Sequence, residues 1–275
     1  MPATLTEHVL ELEGCPLHYG VAGPADRPLV VFTHGACVDR HTFDSHWPVV
    51  AEQYRVLVWD VRGHGQSQPM GADYTLARAV ADLRAILDAL GAGPAVFVGH
   101  SNGGYIAQEI AFHDPQRVQG LALVSGTCIT WPRDARKVRR VRSAMRLIDF
   151  LPIEWLKWVG LRMGSTRPEV RAYAYQAFSQ LPPADFRKVL HAVGASIHPE
   201  PGYRIGKPIL LIHGQHERTG HISKLAPLWA AHEPACRYVV IPDSKHFALM
   251  DNAEFFNRAL LGFLAECAPL ERKAT

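Results

Sequence analysis

A doubly wound, mostly parallel α/β sheet is the fold class this chain predicts, on three observations. Short apolar runs alternate with helix-spaced segments along most of the 275 residues, and several of those runs are apolar on both faces. A Gly-rich turn joins one run, Ala95 to Val98, directly to a helix-like stretch from Tyr105 onward. The N-terminal part departs from this rhythm: Leu5 to Ala22 alternates apolar and polar residues like an antiparallel hairpin. Further strands are predicted over Leu29 to Thr33, Arg55 to Trp59, Ala95 to Val98, Val118 to Val124, Ile209 to Ile212 and Tyr238 to Ile241. Apolar residues at helical spacing predict helices over 42–53, 75–91, 102–113, 222–231 and 252–267.

Between Gly126 and Gly206 the pattern breaks. This stretch carries Pro132, Pro152, Pro168, Pro182, Pro183, Pro199 and Pro201, shows no convincing strand and reads as several short helices. The expectation is one domain with an insertion: residues 1–126 and 207–275 form the core, and residues 127–206 a helical cap inserted after the sixth strand. That position lies above the C-terminal edge of the sheet, where sites of open α/β folds lie.

Hydrophobic residues make up 48% of the chain and charged residues 20%, which suits a folded globular protein. The net charge is only +3, so the balance of charge gives no case for nucleic acid. The five cysteines, Cys15, Cys37, Cys128, Cys236 and Cys267, are odd in number and scattered, which predicts thiols in the cytoplasm rather than a disulfide framework. Met1 to Leu12 carries Glu7 and Glu11 and lacks a signal-peptide pattern, and no apolar run approaches the roughly 18 residues a membrane span needs. No stable membrane anchor is expected.

The chemistry is carried by Gly99-His100-Ser101-Asn102-Gly103-Gly104. A serine between glycines at a strand-to-helix turn stands clear of the sheet, while the helix N-terminus aims its unpaired N–H groups where an oxyanion would form. A serine nucleophile needs a base, and the base needs an orienting acid. His246 follows the strand ending at Ile241, in a loop that leads back over Ser101. Glu217, in His213-Gly214-Gln215-His216-Glu217 directly after the penultimate strand, is the chosen acid, with Asp243 and Asp251 as competitors. Ser125 and Gly126, after the strand ending at Val124, close the other route to an acid. For the oxyanion, the backbone N–H of Asn102 is one donor and that of Ala36, in His34-Gly35-Ala36-Cys37, the other, with Cys37 next in line.

His34-Gly35, the run Asp60-Val61-Arg62-Gly63-His64-Gly65-Gln66-Ser67, the Gly99 to Gly104 turn and the His246 turn together resemble the α/β-hydrolase fold superfamily over nearly the whole chain. The resemblance is to its single-domain serine esterases with a helical cap, most of which carry Asp where Glu217 stands. It implies a serine hydrolase acting on carboxylic esters through Ser101, His246 and Glu217 by way of an acyl-enzyme, without a cofactor. Epoxide hydrolases and haloalkane dehalogenases of this fold carry Asp at the nucleophile position, so Ser101 speaks against both. C–C bond hydrolysis, lactone opening and perhydrolysis use the same triad and remain alternatives, as does a non-catalytic ligand-binding member.

The Asp60 to Ser67 run reads as scaffolding, with Asp60 and Arg62 tying a tight loop to neighbouring backbone. His213, His216 and His221 match no metal-ligand spacing, and no metal is expected. Substrate contacts are assigned to Cys37, Trp131, Trp155, Trp158 and Phe178, lining a mainly apolar pocket for a small apolar ester. Arg133, Arg136, Lys137, Arg139, Arg140, Arg142 and Arg146 make one insertion segment basic, with Val138, Val141, Met145 and Ile148 at helical spacing. Such a segment packs as a solvated helix, touches an anionic interface or meets a second copy, so monomer and homodimer are both open.

Overall fold

The computed structural model describes residues 4–131, 143 and 145–270. Eight strands form one sheet: β1 (Thr6–Leu12), β2 (Cys15–Ala22), β3 (Leu29–Thr33), β4 (Arg55–Trp59), β5 (Ala95–His100), β6 (Val118–Val124), β7 (Ile209–Gly214) and β8 (Cys236–Ile241). Their order across the sheet is β1-β2-β4-β3-β5-β6-β7-β8. The β1–β2 and β2–β4 pairs are antiparallel and all others parallel, which is the predicted fold class.

Helices cover both faces of the central strands, which is why those strands read as continuous apolar runs. On one face Val31, Phe97, Leu121 and Leu211 pack with residues of α2 (Leu76–Ala89) and α3 (Asn102–His113), namely Leu83, Ile86, Ile106 and Ile110. On the other, Val30, Val96, Ala122 and Leu210 meet Val50, Phe256, Leu260 and Phe263. Val50 belongs to α1 (Trp47–Ala51), and the three remaining residues to the last helix described below.

The helix predicted over 42–53 is two shorter pieces. Asp39 caps a 3-10 turn at Arg40–Phe43 by accepting the His41 N–H at 3.0 Å, and α1 starts afresh at Trp47. Pro48 explains the break, because a proline without an N–H fits only the first turn of a helix. After β6 the chain forms a 3-10 turn at Arg146–Phe150 and then α4 (Ile153–Gly164), α5 (Pro168–Gln180) and α6 (Pro183–Ala195) before returning at β7. Pro152, Pro168, Pro182 and Pro183 thus mark helix starts. Most of the basic segment, Arg133, Arg136, Lys137, Arg139, Arg140 and Arg142 with Val138 and Val141, lies outside the described residues.

The chain ends with α7 (Ile222–His232), a single turn α8 (Ala248–Asp251) and α9 (Ala253–Cys267). Asn252 separates the last two as an N-cap, its side chain accepting the Phe255 N–H at 3.2 Å. Among the described residues no helix is long and apolar enough to cross a membrane.

Candidate active site

Strand β5 delivers its C-terminal residue His100 to the sheet edge, and Ser101 follows at φ 51° and ψ −113° before α3 begins. Such a conformation costs a residue with a Cβ on the order of 1–3 kcal/mol. The surroundings enforce it: the Ser101 N–H donates to the Val124 carbonyl at 2.7 Å. A Cβ on Gly103 would stand 2.0 Å from the Thr33 carbonyl oxygen, so the helix approaches β3 only with glycine there.

His246 reaches Ser101 from the loop between β8 and α8. Its Nε2 lies 3.0 Å from Ser101 Oγ, and its Nδ1 lies 2.8 Å from Glu217 Oε2. An ionised carboxylate only accepts, so Nδ1 carries the proton and Nε2 offers its lone pair to the serine hydroxyl. The Glu217 side chain is fully enclosed, and its Oε1 accepts the Thr219 N–H at 2.7 Å. Burial alone would push its pKa up; the opposing charge and hydrogen bond of His246, with the Thr219 N–H, outweigh that and hold it at about 2. Gly214 lets the two loops cross, since a Cβ there would stand 2.2 Å from the Lys245 carbonyl oxygen.

The competing acids bond elsewhere. Asp243 is exposed, while Asp251 is buried and accepts the Lys245 N–H at 2.9 Å and the Ser165 hydroxyl. Thr219 carries no signal in the sequence, and Asp251 reads there only as a competing acid, because both act through partners that only folding brings near.

Of the two donors considered in the loop after β3, one is already committed. The Cys37 N–H donates to His64 Nε2 at 3.1 Å, whereas the Ala36 N–H has no acceptor among the described residues. Asn102 N–H, at the first position of α3, likewise has no intrahelical acceptor. The His64 contact has a counterpart: the Val61 N–H donates to His34 Nε2 at 2.9 Å, so each of two loops is gripped by a histidine of the other. Both imidazoles donate from Nδ1 to backbone carbonyls, His34 to Gly35 at 2.8 Å and His64 to Arg62 at 2.9 Å. Burial lowers both to a pKa of about 4, which keeps each a neutral ring with one donor and one acceptor.

Asp60 accepts the backbone N–H groups of Arg40 at 2.9 Å and Gln66 at 3.0 Å, as the scaffolding reading of this loop expects. Arg62 has a stronger partner than backbone: its guanidinium grips the Asp82 carboxylate of α2 at 2.7 and 2.6 Å, with both side chains buried, and donates once to the Met70 carbonyl. Arg62→Leu therefore strands a buried carboxylate and is expected to lower unfolding stability by about 3–5 kcal/mol. Urea denaturation checks this, and Arg62→Leu combined with Asp82→Leu should recover part of the loss.

The assigned substrate contacts divide. Cys37 is buried, its thiol pushed well above its ordinary pKa by burial, and its Sγ lies 3.9 Å from the Phe186 carbonyl of α6. Phe178 meets the Phe186 ring edge-on at 5.6 Å, and Trp131 meets His232 in the same manner at 5.1 Å. Trp155 and Trp158, by contrast, are 48% and 54% exposed. They share an outward stripe of α4 with Glu154 and Arg162, whose guanidinium sits 5.5 Å from the Trp158 ring, so they do not line an enclosed pocket. The aromatic spacing shows a helix face but not which way that face turns.

A model of the alpha/beta hydrolase fold family matches residues 28–147. 3-Oxoadipate enol-lactonase 1 of Acinetobacter baylyi is 24% identical over 253 residues, covering 92% of this chain and 94% of that protein. A hydrolase from Pseudomonas aeruginosa PA01 superposes with a TM-score of 0.76 at 26% identity, over 95% of this chain and 98% of that one. Est816, an N-acyl homoserine lactone degrading enzyme, gives 0.79 at 26% identity, over 93% and 100%. With this sheet, this turn and these relatives, the chain has the alpha/beta hydrolase fold and is a hydrolytic enzyme.

Proposed function

We propose that the enzyme hydrolyses small, apolar carboxylic esters, with Ser101 as nucleophile, His246 as base and Glu217 as its orienting acid. The observation that carries this reading is the unbroken relay from Ser101 Oγ through the His246 ring to Glu217, at 3.0 and 2.8 Å. Ser101 Oγ attacks the carbonyl carbon while its proton passes to His246 Nε2. The resulting oxyanion takes hydrogen bonds from the Ala36 and Asn102 N–H groups, and loss of one such donor costs about 3 kcal/mol of transition-state stabilisation. Collapse expels the alcohol, which leaves with the proton from His246. Water then attacks the acyl-enzyme with His246 again as base, releasing the acid and restoring the Ser101 hydroxyl.

In this reading residues 127–206 form a cap over the site, and Cys37, Trp131 and Phe178 shape its apolar side. The scattered cysteines, none in a disulfide, fit a cytoplasmic enzyme. Lactone opening is the second reading, favoured by the likeness to the enol-lactonase and to Est816. A p-nitrophenyl ester series from acetate to palmitate, assayed beside N-acyl homoserine lactones, tests both. Turnover with a short-to-medium chain optimum is the expected result, and preference for the lactones selects the second reading. A folded protein that turns over neither, and whose Ser101 resists a fluorophosphonate probe, defeats the proposal.

A further inference from the structure

We propose that Asp251 is a positioning residue for His246 and that, through Ser165, it makes the placement of the inserted helices part of the alignment of the relay. The inference rests on the reading of His246 as the base. Its starting point is how the histidine is held. Glu217 fixes the ring, but the backbone on either side of His246 is fixed by other groups. The N–H of Lys245, one residue before, donates to Asp251 Oδ2 at 2.9 Å, and the N–H of Phe247, one residue after, donates to the Gly164 carbonyl at 2.7 Å. The carbonyl of His246 itself accepts from His100 Nε2 at 3.0 Å, so β5, the strand that leads into Ser101, restrains it as well.

Two of these anchors lead into the inserted helices. Gly164 is the last residue of α4, and the next residue, Ser165, donates its hydroxyl to the other oxygen of Asp251. Ser165 is also fixed to the α4–α5 corner, where its Oγ accepts the Arg167 N–H at 2.9 Å. The same corner is stitched to the histidine loop twice more, by Thr166 Oγ1 donating to the Asp243 carbonyl at 3.2 Å and by Lys245 Nζ donating to the Arg162 carbonyl at 2.8 Å. Asp251 is 4% exposed and both its oxygens are used, one on the histidine loop and one on the corner. A carboxylate enclosed in this way, with one oxygen on each side, is a joint between two bodies. Shifting either body moves the Lys245 N–H and with it the His246 Nε2 that must meet Ser101 Oγ. Misplacement of a reacting group by about 1 Å costs on the order of a hundredfold in rate.

The test compares Asp251→Ala, Asp251→Asn and Ser165→Ala, with kcat expressed per active site titrated by a fluorophosphonate. Dividing by titrated sites removes any loss that comes from misfolded protein. Asp251→Ala is expected to lower kcat per site by about 10- to 100-fold with KM little changed. Asp251→Asn should recover most of it, because the amide oxygen still accepts the Lys245 N–H and the amide nitrogen donates to Ser165 Oγ. Ser165→Ala should fall between, near threefold. If Asp251 acts through His246, its replacement costs almost nothing further once Glu217→Gln has already disabled the base. Unchanged kcat per site in both Asp251→Ala and Ser165→Ala overturns the inference, as does full additivity with Glu217→Gln. Should Asp251→Ala fail to fold, Ser165→Ala and Asp251→Asn decide it. Ser101→Ala separates the two levels: turnover surviving in that variant defeats the reading of the triad, whereas its loss alongside normal Asp251 variants defeats only this inference.

Discussion

Ser101→Ala is expected to abolish ester turnover, with kcat falling by about 10⁴- to 10⁶-fold while the protein folds normally and still binds substrate. Alanine removes the attacking oxygen and leaves the backbone, the oxyanion donors and His246 in place. It also lacks the hydroxyl that any strained geometry at φ 51° serves to expose, so stability should be unchanged or slightly higher. Glu217→Gln is the companion measurement, expected to cost about 10³- to 10⁴-fold. An amide in that position offers an N–H to His246 Nδ1, which then stays unprotonated, and the proton moves to Nε2, where it blocks acceptance from Ser101. The wild-type pH profile is a further check. Wild-type Glu217 is ionised down to about pH 2, so the acid limb of kcat/KM reports the base alone and shows a single ionisation over the working range. Two overlapping ionisations in that limb, or a Ser101→Ala variant with more than a few per cent of wild-type turnover, would remove the triad as assigned.

The strands and the relay were legible in the sequence for the same physical reason. A buried parallel strand is an apolar run, and the residues that follow it emerge at one edge of the sheet. Once Ala95 to Val98 and Ile209 to Ile212 are read as strands, Ser101 and Glu217 are brought to that edge by the chain direction alone. His246 follows from the strand ending at Ile241 in the same manner. What the sequence does not display is pairing between distant polar groups. Arg62 stands in a loop and Asp82 on a helix 20 residues later, and nothing in their spacing announces a buried bidentate contact. Asp251 was visible as a carboxylate near His246, but whether it faces the ring or the backbone is decided by the turn at α8. The Trp155 and Trp158 spacing fits a helix face equally well whether that face meets a pocket or solvent, and here it meets solvent.

Stability is expected to fall steeply as pH drops from about 6.5 to about 4, an effect carried by histidines that the catalytic cycle does not titrate. Burial lowers His34, His46 and His64 to about 4 and His100 to about 3, with the neighbouring imidazole of His246 adding to the last. In the unfolded chain each takes up a proton near pH 6.5, whereas in the folded chain each stays neutral until well below that. Acid therefore binds the unfolded state preferentially: stability is complete above about pH 6.5 and is lost progressively as pH falls toward the folded values. Each group accounts for about 3 kcal/mol when the window has been crossed, so together they reach on the order of 10 kcal/mol, comparable to the whole stability of an ordinary domain. Asp60 and His41 oppose this, since burial raises the Asp60 carboxyl and the hydrogen bond to Asp44 raises the His41 imidazole, so acid favours the folded state at both, but they are two groups against four. The urea midpoint measured from pH 8 to pH 4 should decline with a slope approaching several protons. His46 permits an independent check, because it lies in an aromatic sheath of Phe43 and Phe256 and, among the described residues, its ring hydrogen-bonds only Asn257, at 2.7 Å. His46→Phe should flatten the slope by close to one proton and leave kcat untouched, while a wild-type midpoint that stays level down to pH 4.5 would show that these rings find solvent or partners when protonated.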